Sequence, residues 1–264
     1  MIYIRTTPEI EILQQNNRIN YLILLELGKL IRPGISTKFL DEIAEEMIRK
    51  NSAQPAFKGY NGFPASICAS INSEVVHGIP SEKRILEDGD ILGIDIGVEK
   101  DGFFGDAAIT FAVGNISDEA RKLMRITRES LYLGIEKAVP NGRLSDISNA
   151  IQTHVESHGY SVVRTLVGHG IGKNLHEEPE IPNYGQAGKG PILKPGMVLA
   201  IEPMINIGGY RVITEADNWT VRTADNSLSA HFEHSIVITE KGPYIMGDNK
   251  EKGEIEYYGK RKSN

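Results

Sequence analysis

The strongest constraint on the fold is a sequence pattern that occurs twice along the chain. Residues 87–95 and 194–202 each run from a glycine turn into an apolar strand, with a carboxylate six residues after the glycine. The two carboxylates, Asp95 and Glu202, are 107 positions apart, and the helix-breaking pairs at 33–34 and 141–142 are 108 apart. The chain is therefore predicted to consist of two related halves.

Apolar residues at three-, four- and seven-residue steps predict a helix over residues 8–31 and a second one over 36–50, capped by Ser36. In the second half, Ser117 is predicted to begin a helix and Ser145 to cap the next one. The predicted buried stripe of the first helix consists of Ile12, Ile19, Ile23, Leu27 and Leu30. We expect an α+β fold in which two half-sheets meet and the helices cover one face.

Composition excludes several classes of protein. The chain has 264 residues, of which 40% are apolar, as a buried core requires, and its net charge of -6 argues against binding nucleic acid or an anionic membrane. Cys68 is the single cysteine, so an intrachain disulfide is impossible and a reducing cytoplasm is favoured. No apolar run approaches the length of a membrane span or a targeting signal. We expect one domain over residues 1–248 and a charged, poorly ordered tail over 249–264.

Acidic residues in the predicted strands indicate a shared site. The Asp-Gly pair at 101–102 is a hairpin signal, and the resulting register puts Gly97 opposite Asp106. Asp95 then lies on the same face as Asp106, about 7 to 8 Å away between backbones. Two carboxylates that close share a proton or bind a cation. For this pair alone, a turn acid and a surface acid are the more ordinary interpretation.

The second half adds further candidate ligands. His169 lies among glycines, His176 follows seven residues later, and a later apolar strand carries Glu233. The candidate ligand set is Asp95, Asp106, His169, Glu202 and Glu233. Four carboxylates and one imidazole exceed what one zinc ion uses, so two divalent ions about 3.5 to 4 Å apart are predicted. Oxygen-rich ligation favours manganese, iron or cobalt over zinc, and the identity of the metal stays open.

Seven motifs occur in order along essentially the whole chain up to about residue 246. They are 72–80 (NSEVVHGIP), 94–97 (IDIG), 105–106 (GD), 168–172 (GHGIG), 176–179 (HEEP), 200–203 (AIEP) and 232–234 (FEH). Together they resemble the signature of the type I methionine aminopeptidases. The resemblance implies the pseudo-two-fold pita-bread fold of the creatinase and aminopeptidase group. It also implies a cytoplasmic, metal-dependent hydrolase that removes initiator methionine from nascent proteins and short Met-peptides when the second residue is small.

The resemblance also implies roles for individual residues. Asp95 would bind one metal, Asp106 and Glu233 would bridge, and His169 with Glu202 would bind the other; the two ions would be cobalt, manganese, iron or zinc. Glu202 would also accept the proton of the attacking water. His77 and His176 would be catalytic side chains that contact substrate, although the residues alone favour a simple turn histidine at position 77.

A methionine-binding pocket is implied in the same way. By similarity its lining is Phe57, Tyr60, Phe63, Cys68, Leu175 and Trp219, with ordinary core packing as the alternative. Phe57 stands where a smaller cysteine is common in the family, and Leu175 stands where a phenylalanine is common. Because this exchange roughly conserves volume, methionine selectivity is expected to survive.

Two alternatives stay open at this stage. A proline-specific aminopeptidase or dipeptidase of the same fold is expected to carry a sizeable amino-terminal domain, whereas here only about 50 residues precede the pocket segment. A noncatalytic binding protein on this fold would lose ligands, yet all five are present. The 31 residues from Glu202 to Glu233 also leave no room for the helical insertion of the type II enzymes. We expect a monomer that meets nascent chains, with a contact to the ribosome left open.

Overall fold

The computed structural model describes residues 1–247, so the tail predicted over 249–264 lies outside the described residues. The helices are α1 (Thr7–Leu30), α2 (Thr37–Lys50), α3 (Asp118–Glu136) and α4 (Leu144–Ser157). The strands are β1 (Gln54–Pro55), β2 (Ile67–Ile71), β3 (Glu74–Val76), β4 (Ile91–Lys100), β5 (Phe103–Ala112), β6 (Ser161–Val162), β7 (Gly168–Gly170), β8 (Glu177–Ile181), β9 (Val198–Ile201), β10 (Met204–Asn206), β11 (Val212–Thr214), β12 (Val221–Thr223), β13 (Ser229–His231), β14 (Glu233–Thr239) and β15 (Gly242–Ile245). None of the helices in this part of the chain combines the length and the apolar character needed to cross a bilayer.

One nine-stranded sheet runs through both halves. Its main order is β1-β4-β5-β14-β9-β7-β8, while β2 pairs with β4 and β15 pairs with β14. The two predicted half-sheets meet where β5 pairs with β14, through Ala108 opposite Glu233 and Ala107 opposite His234. Helix α1 packs against β4 and β5 in the first half, and α3 contacts β9 and β14 in the second. The mixed helix and sheet content confirms the predicted fold class.

The predicted register of the first hairpin is confirmed. Strands β4 and β5 pair with Gly97 opposite Asp106, and Asp101 and Gly102 form the turn between them. Both turn residues have positive φ, +55° and +74°, as a two-residue hairpin turn of this type requires. This turn therefore determines the pairing along the two strands that carry Asp95 and Asp106.

The buried stripe predicted for α1 is partly wrong. Ile23 and Leu27 are buried as predicted, but Ile12 and Ile19 are half-buried and Leu30 is exposed. Their place is taken by three asparagines on the inner face, Asn16, Asn17 and Asn20. The reason is that α1 packs against the backbone at the hairpin turn. The Asn16 side-chain amide donates to the carbonyl oxygens of Phe103 (2.8 Å) and Lys100 (3.0 Å).

Two of the three predicted helix caps are confirmed. The hydroxyls of Ser36 and Ser117 each accept a backbone N–H from the first turn of their helix, at 3.1 Å. The cap predicted at Ser145 is wrong, because α4 begins at Leu144 and its N-cap is Arg143, two residues earlier than predicted. Ser145 instead exchanges hydrogen bonds with the backbone of Lys189. Arg143 lies 107 positions after Ser36, so the cap follows the repeat.

Candidate metal centre and substrate pocket

The five candidate ligands lie around the junction of the two halves. Asp95 is on β4, Asp106 on β5 and His169 on β7, while Glu202 directly follows β9 and Glu233 begins β14. All five line one cavity of about 330 Å³.

Strand register explains why the acids converge. Asp95 and Glu233 both lie directly opposite Ala108, one from each neighbouring strand. Asp106 is two residues from Ala108 and so points to the same face of the sheet. Ala108 is itself buried, and its side chain is only a methyl group. The sheet therefore presents three acids from three adjacent strands to one volume.

His169 faces these carboxylates with a lone pair. Its Nδ1 lies 2.9 Å from the carbonyl oxygen of Gly170, to which the ring N–H donates. That tautomer leaves Nε2 without a hydrogen, 3.5 Å from Glu202 Oε1 and 3.9 Å from Asp106 Oδ2. Ligand atoms of Asp106, His169 and Glu233 all lie within 4.8 Å of one another. An unprotonated imidazole nitrogen among carboxylate oxygens is arranged to share a cation.

Three oxygens of the clustered carboxylates lack hydrogen-bond partners within residues 1–247. Asp95 Oδ1, Asp106 Oδ1 and Glu233 Oε1 are buried and accept no hydrogen bond from the residues that the structure describes. Burial raises the pKa of Asp95 to about 7 and raises the pKa values of Asp106, Glu202 and Glu233 well above their ordinary range. Buried carboxylates without partners are costly unless they are protonated or bind metal. The donor set therefore fits divalent metal ions.

Glycine is required on both sides of His169. A Cβ on Gly168 would collide with the carbonyl oxygen of Ala200, and one on Gly170 would collide with that of Glu178. Strand β7 is thus pressed between β8 and β9, with which it pairs. This close approach brings the His169 ring next to Glu202 and explains the glycine-rich motif.

The two candidate catalytic histidines both line the cavity. His176, at the exposed mouth, has its Nδ1 2.8 Å from the Tyr60 hydroxyl, and its ring centroid is 4.4 Å from that of His169. His77 directly follows β3 in a left-handed conformation, with φ of +60°. Burial, and secondarily the neighbouring His176, lowers the pKa of His77 to about 4. His77 is therefore neutral near pH 7 and can offer a ring N–H.

The remaining wall of the cavity is apolar. Phe63 and Trp219 meet edge to face, with ring centroids 5.1 Å apart, and the Trp219 ring also faces His77 at 6.4 Å. Cys68 lies opposite Asp95 in the β2–β4 pair, and burial raises the pKa of its thiol well above the usual range. The predicted pocket residues that line this wall are Phe57, Tyr60, Phe63, Cys68, Leu175 and Trp219. The cavity thus joins an apolar compartment to the acidic cluster.

Two residues near the site were missed in the sequence. Asn61 lines the cavity beside Tyr60. His231 is buried, and its Nε2 has no hydrogen-bond partner among the described residues and lies 3.8 Å from Glu202 Oε2. Burial lowers its pKa to about 3. The signal for His231 was its position two residues before Glu233, since alternate residues of an extended chain share a face.

Comparison with known proteins identifies the family. The model of metallopeptidase family M24 matches residues 11–240. Methionine aminopeptidase 1 of Bacillus subtilis is 58% identical over 246 residues, which cover 93% of this chain and 99% of that protein. The chain belongs to the M24 metallopeptidases, as a type I methionine aminopeptidase. A crystal structure of methionine aminopeptidase from Thermotoga maritima matches with a TM-score of 0.93 and 44% identity, covering 94% of this chain and all of that one.

The comparisons do not favour the proline-specific alternative. An X-Pro aminopeptidase from Thermotoga maritima matches with a TM-score of 0.74 but only 21% identity, a likeness that shows the fold alone. The match covers 93% of this chain and 62% of that one. The pita-bread fold is therefore shared, while the high-identity relatives are methionine aminopeptidases.

Proposed function

We propose that this methionine aminopeptidase removes initiator methionine from nascent proteins and short Met-peptides whose second residue is small, using two divalent metal ions. The observation that carries the proposal is one cavity lined both by the acidic cluster and by a set of apolar and aromatic side chains. Such a cavity suits a substrate with an apolar first side chain and a scissile bond beside it. A preference for a small second residue is taken from the resemblance of the motifs to the family.

Five side chains are proposed to hold the metals. Asp95 would bind one ion, Asp106 and Glu233 would bridge, and His169 with Glu202 would hold the other. The unpartnered carboxylate oxygens and the unprotonated Nε2 of His169 support this assignment. Divalent ions in such a site supply Lewis acidity and lower the pKa of water. Oxygen-rich ligation favours manganese, iron or cobalt over zinc as the working metal.

The chain's own groups are proposed to move protons and hold the substrate. The Glu202 carboxylate accepts the proton of the attacking water. The Tyr60 hydroxyl can donate to His176 Nδ1, which leaves the hydrogen on Nε2, free to donate to the substrate carbonyl oxygen. The departing amide nitrogen would take up the proton held by Glu202, while neutral His77 would donate a hydrogen bond to that nitrogen or to the tetrahedral intermediate. These roles require no charged histidine at neutral pH.

The apolar compartment is proposed to select methionine. Leu175 and Phe63 are buried, and the edge-to-face contact of Phe63 with Trp219 closes this side of the cavity. The flexible, polarisable thioether of methionine packs well against aromatic rings. With the side chain held there, the free α-amine would lie near the acidic cluster, which restricts attack to the amino terminus.

A peptide assay tests the proposed specificity. The metal-loaded enzyme should cleave Met-Ala-Ser and Met-Pro peptides in manganese or cobalt. It should leave Ala-Pro and Met-Lys peptides largely intact. Cleavage of X-Pro bonds regardless of the first residue would instead assign the activity to the proline-specific branch.

A metal titration tests the proposed ligands. In Asp106→Ala, calorimetry should show the loss of two-metal binding, and peptide turnover should fall to background. A control variant is Arg125→Gln, because Arg125 pairs with Glu129 on the exposed surface of α3. Full turnover in Asp106→Ala would contradict the bridging assignment.

The cellular setting is also a proposal. We expect a cytoplasmic monomer that acts on chains presented at the ribosome, with one catalytic domain over residues 1–248. The buried, unpaired thiol of Cys68 suits a reducing compartment.

A further inference from the structure

A buried ion pair joins the amino-terminal segment to the start of β8, next to His176. Arg5 and Glu177 are 172 positions apart, and their side chains, which form an ion pair, are only 5% and 4% exposed. Two charges taken out of water gain little net stability compared with an apolar pair of similar volume. A contact of this kind therefore calls for a role beyond stability.

Glu177 uses its two oxygens for different purposes. Its Oε2 is bound by the Arg5 guanidinium, while Oε1 accepts the backbone N–H groups of Lys173 (2.9 Å) and Asn174 (3.1 Å). Both amides belong to the loop of residues 171–176, which connects β7 to β8. The Glu177 carboxylate thus holds the loop through two backbone hydrogen bonds, and the ion pair with Arg5 holds the carboxylate in place.

Arg5 is itself firmly attached to the body of the protein. Its backbone N–H donates to the carbonyl oxygen of Gly196 at 2.8 Å, just before β9. Its guanidinium lies so close to Gly172 that a Cβ there would collide with it. Gly172 in turn accepts a hydrogen bond from the Phe104 backbone N–H at 2.8 Å. Arg5 therefore packs against the base of the loop as well as pairing with Glu177.

The loop held in this way presents two residues to the cavity. Leu175 is buried in its apolar wall, and His176, next to Glu177 in the sequence, stands at its mouth against Tyr60. We propose that Arg5 is a positioning residue for the reaction, which acts through Glu177 to hold the 171–176 loop and orient His176. This inference rests on the catalytic role proposed for His176.

Replacing Arg5 by glutamine tests the proposal. Arg5→Gln removes the charge, and a displacement of His176 by about 1 Å should lower kcat for Met-Ala-Ser by about 10- to 100-fold. KM should change less than about threefold if the apolar wall keeps its shape. Glu177→Gln should behave similarly, and Arg5→Lys should restore part of the loss because it keeps the charge but not the planar fork. The exposed-pair variant Arg125→Gln is the matched control and should retain wild-type kcat.

Two further measurements separate positioning from a general loss of structure. Calorimetric metal affinity should change less than about threefold in Arg5→Gln, because none of the five proposed ligands lies in the loop. In a His176→Ala background, the added Arg5→Gln substitution should lower kcat by less than about twofold. If Arg5→Gln folds poorly, Arg5→Lys and Glu177→Gln carry the same test.

The outcomes are distinct. Wild-type kcat in Arg5→Gln and Glu177→Gln, with normal cleavage by the parent enzyme, would overturn the positioning role and leave the proposed function intact. An equal loss in the presence and absence of His176 would also overturn it. Failure of the parent enzyme itself to cleave Met-Ala-Ser would count against the proposed function instead.

Discussion

Gly97 offers a sharp test of how tightly the proposed methionine pocket is packed. An alanine there would place its Cβ 2.6 Å from Phe57 Cε1 and 3.0 Å from the Cβ of Ala56. Carbon atoms in contact need about 3.5 Å, so the Phe57 ring must move by roughly 1 Å. Phe57 is 8% exposed, so the open direction is into the cavity that it lines. Overpacking of this kind costs about 1 to 3 kcal/mol.

This cost should appear in both stability and substrate affinity. We expect Gly97→Ala to lower the free energy of unfolding by about 1 to 3 kcal/mol. If the displaced Phe57 ring destabilises the enzyme–substrate complex by about 1.4 kcal/mol relative to the free enzyme, KM for Met-Ala-Ser rises tenfold. The assays are chemical denaturation of the metal-loaded enzyme and steady-state peptide cleavage, with kcat expected to change less than KM.

The same strand provides the control. A Cβ on Gly93 would meet nothing closer than 3.7 Å, so Gly93→Ala should leave KM unchanged and stability equal or slightly higher. Combining Gly97→Ala with Phe57→Cys removes the clashing ring and should restore KM relative to Gly97→Ala alone. If Gly97→Ala matches Gly93→Ala in both assays, the Phe57 ring is not confined as the structure indicates.

Three further predictions follow from particular residues. Burial raises the pKa of Asp95 from 3.8 to about 7, so between these pH values the metal-free protein binds more protons when folded than when unfolded, and its stability should fall as the pH rises. Manganese should therefore raise Tm more at pH 8 than at pH 5.5. An equal shift in Tm at both pH values would contradict this. Ser117→Ala should cost about 1 kcal/mol in urea denaturation, because it removes the α3 cap, and no change would show that the cap contributes nothing. Cys68 should react with Ellman's reagent only slowly until the protein is unfolded, and rapid labelling at pH 8 would contradict its burial.

Features governed by short-range chemistry were predictable from the sequence. The Asp101-Gly102 turn determined the register of β4 and β5, because a two-residue turn leaves only one way to pair the flanking strands. The caps at Ser36 and Ser117 followed from hydroxyls that reach the next free backbone N–H. At Ser145 the hydroxyl instead donates to the carbonyl oxygen of Lys189 in a neighbouring loop. The residue type alone therefore predicted the wrong N-cap.

Buried polar residues were not predictable, because their partners come from distant parts of the chain. Asn17 is buried on α1, and its side-chain oxygen accepts the backbone N–H of Asp106 at 3.2 Å. From the other half, the side-chain amide of Asn183 donates to the backbone oxygen of Glu202 at 3.0 Å. Hydrophobic periodicity cannot anticipate such contacts, since it assigns asparagine to the solvent face. His231 is a different case, because its position two residues before Glu233 was visible in the sequence.

The internal repeat explains why the site could be inferred only from both halves together. Each half contributes acids from two neighbouring strands, Asp95 with Asp106 and Glu202 with Glu233. Taken alone, the first pair is compatible with an ordinary hairpin, and the second pair, 31 positions apart, does not by itself indicate a common site. The β5–β14 pairing brings the two sets to the same place, because Asp95 and Glu233 lie opposite the same residue, Ala108. The proposed metal centre thus lies at the junction, and a substitution of a non-ligand residue that weakens the β5–β14 pairing should lower the calorimetric affinity for manganese.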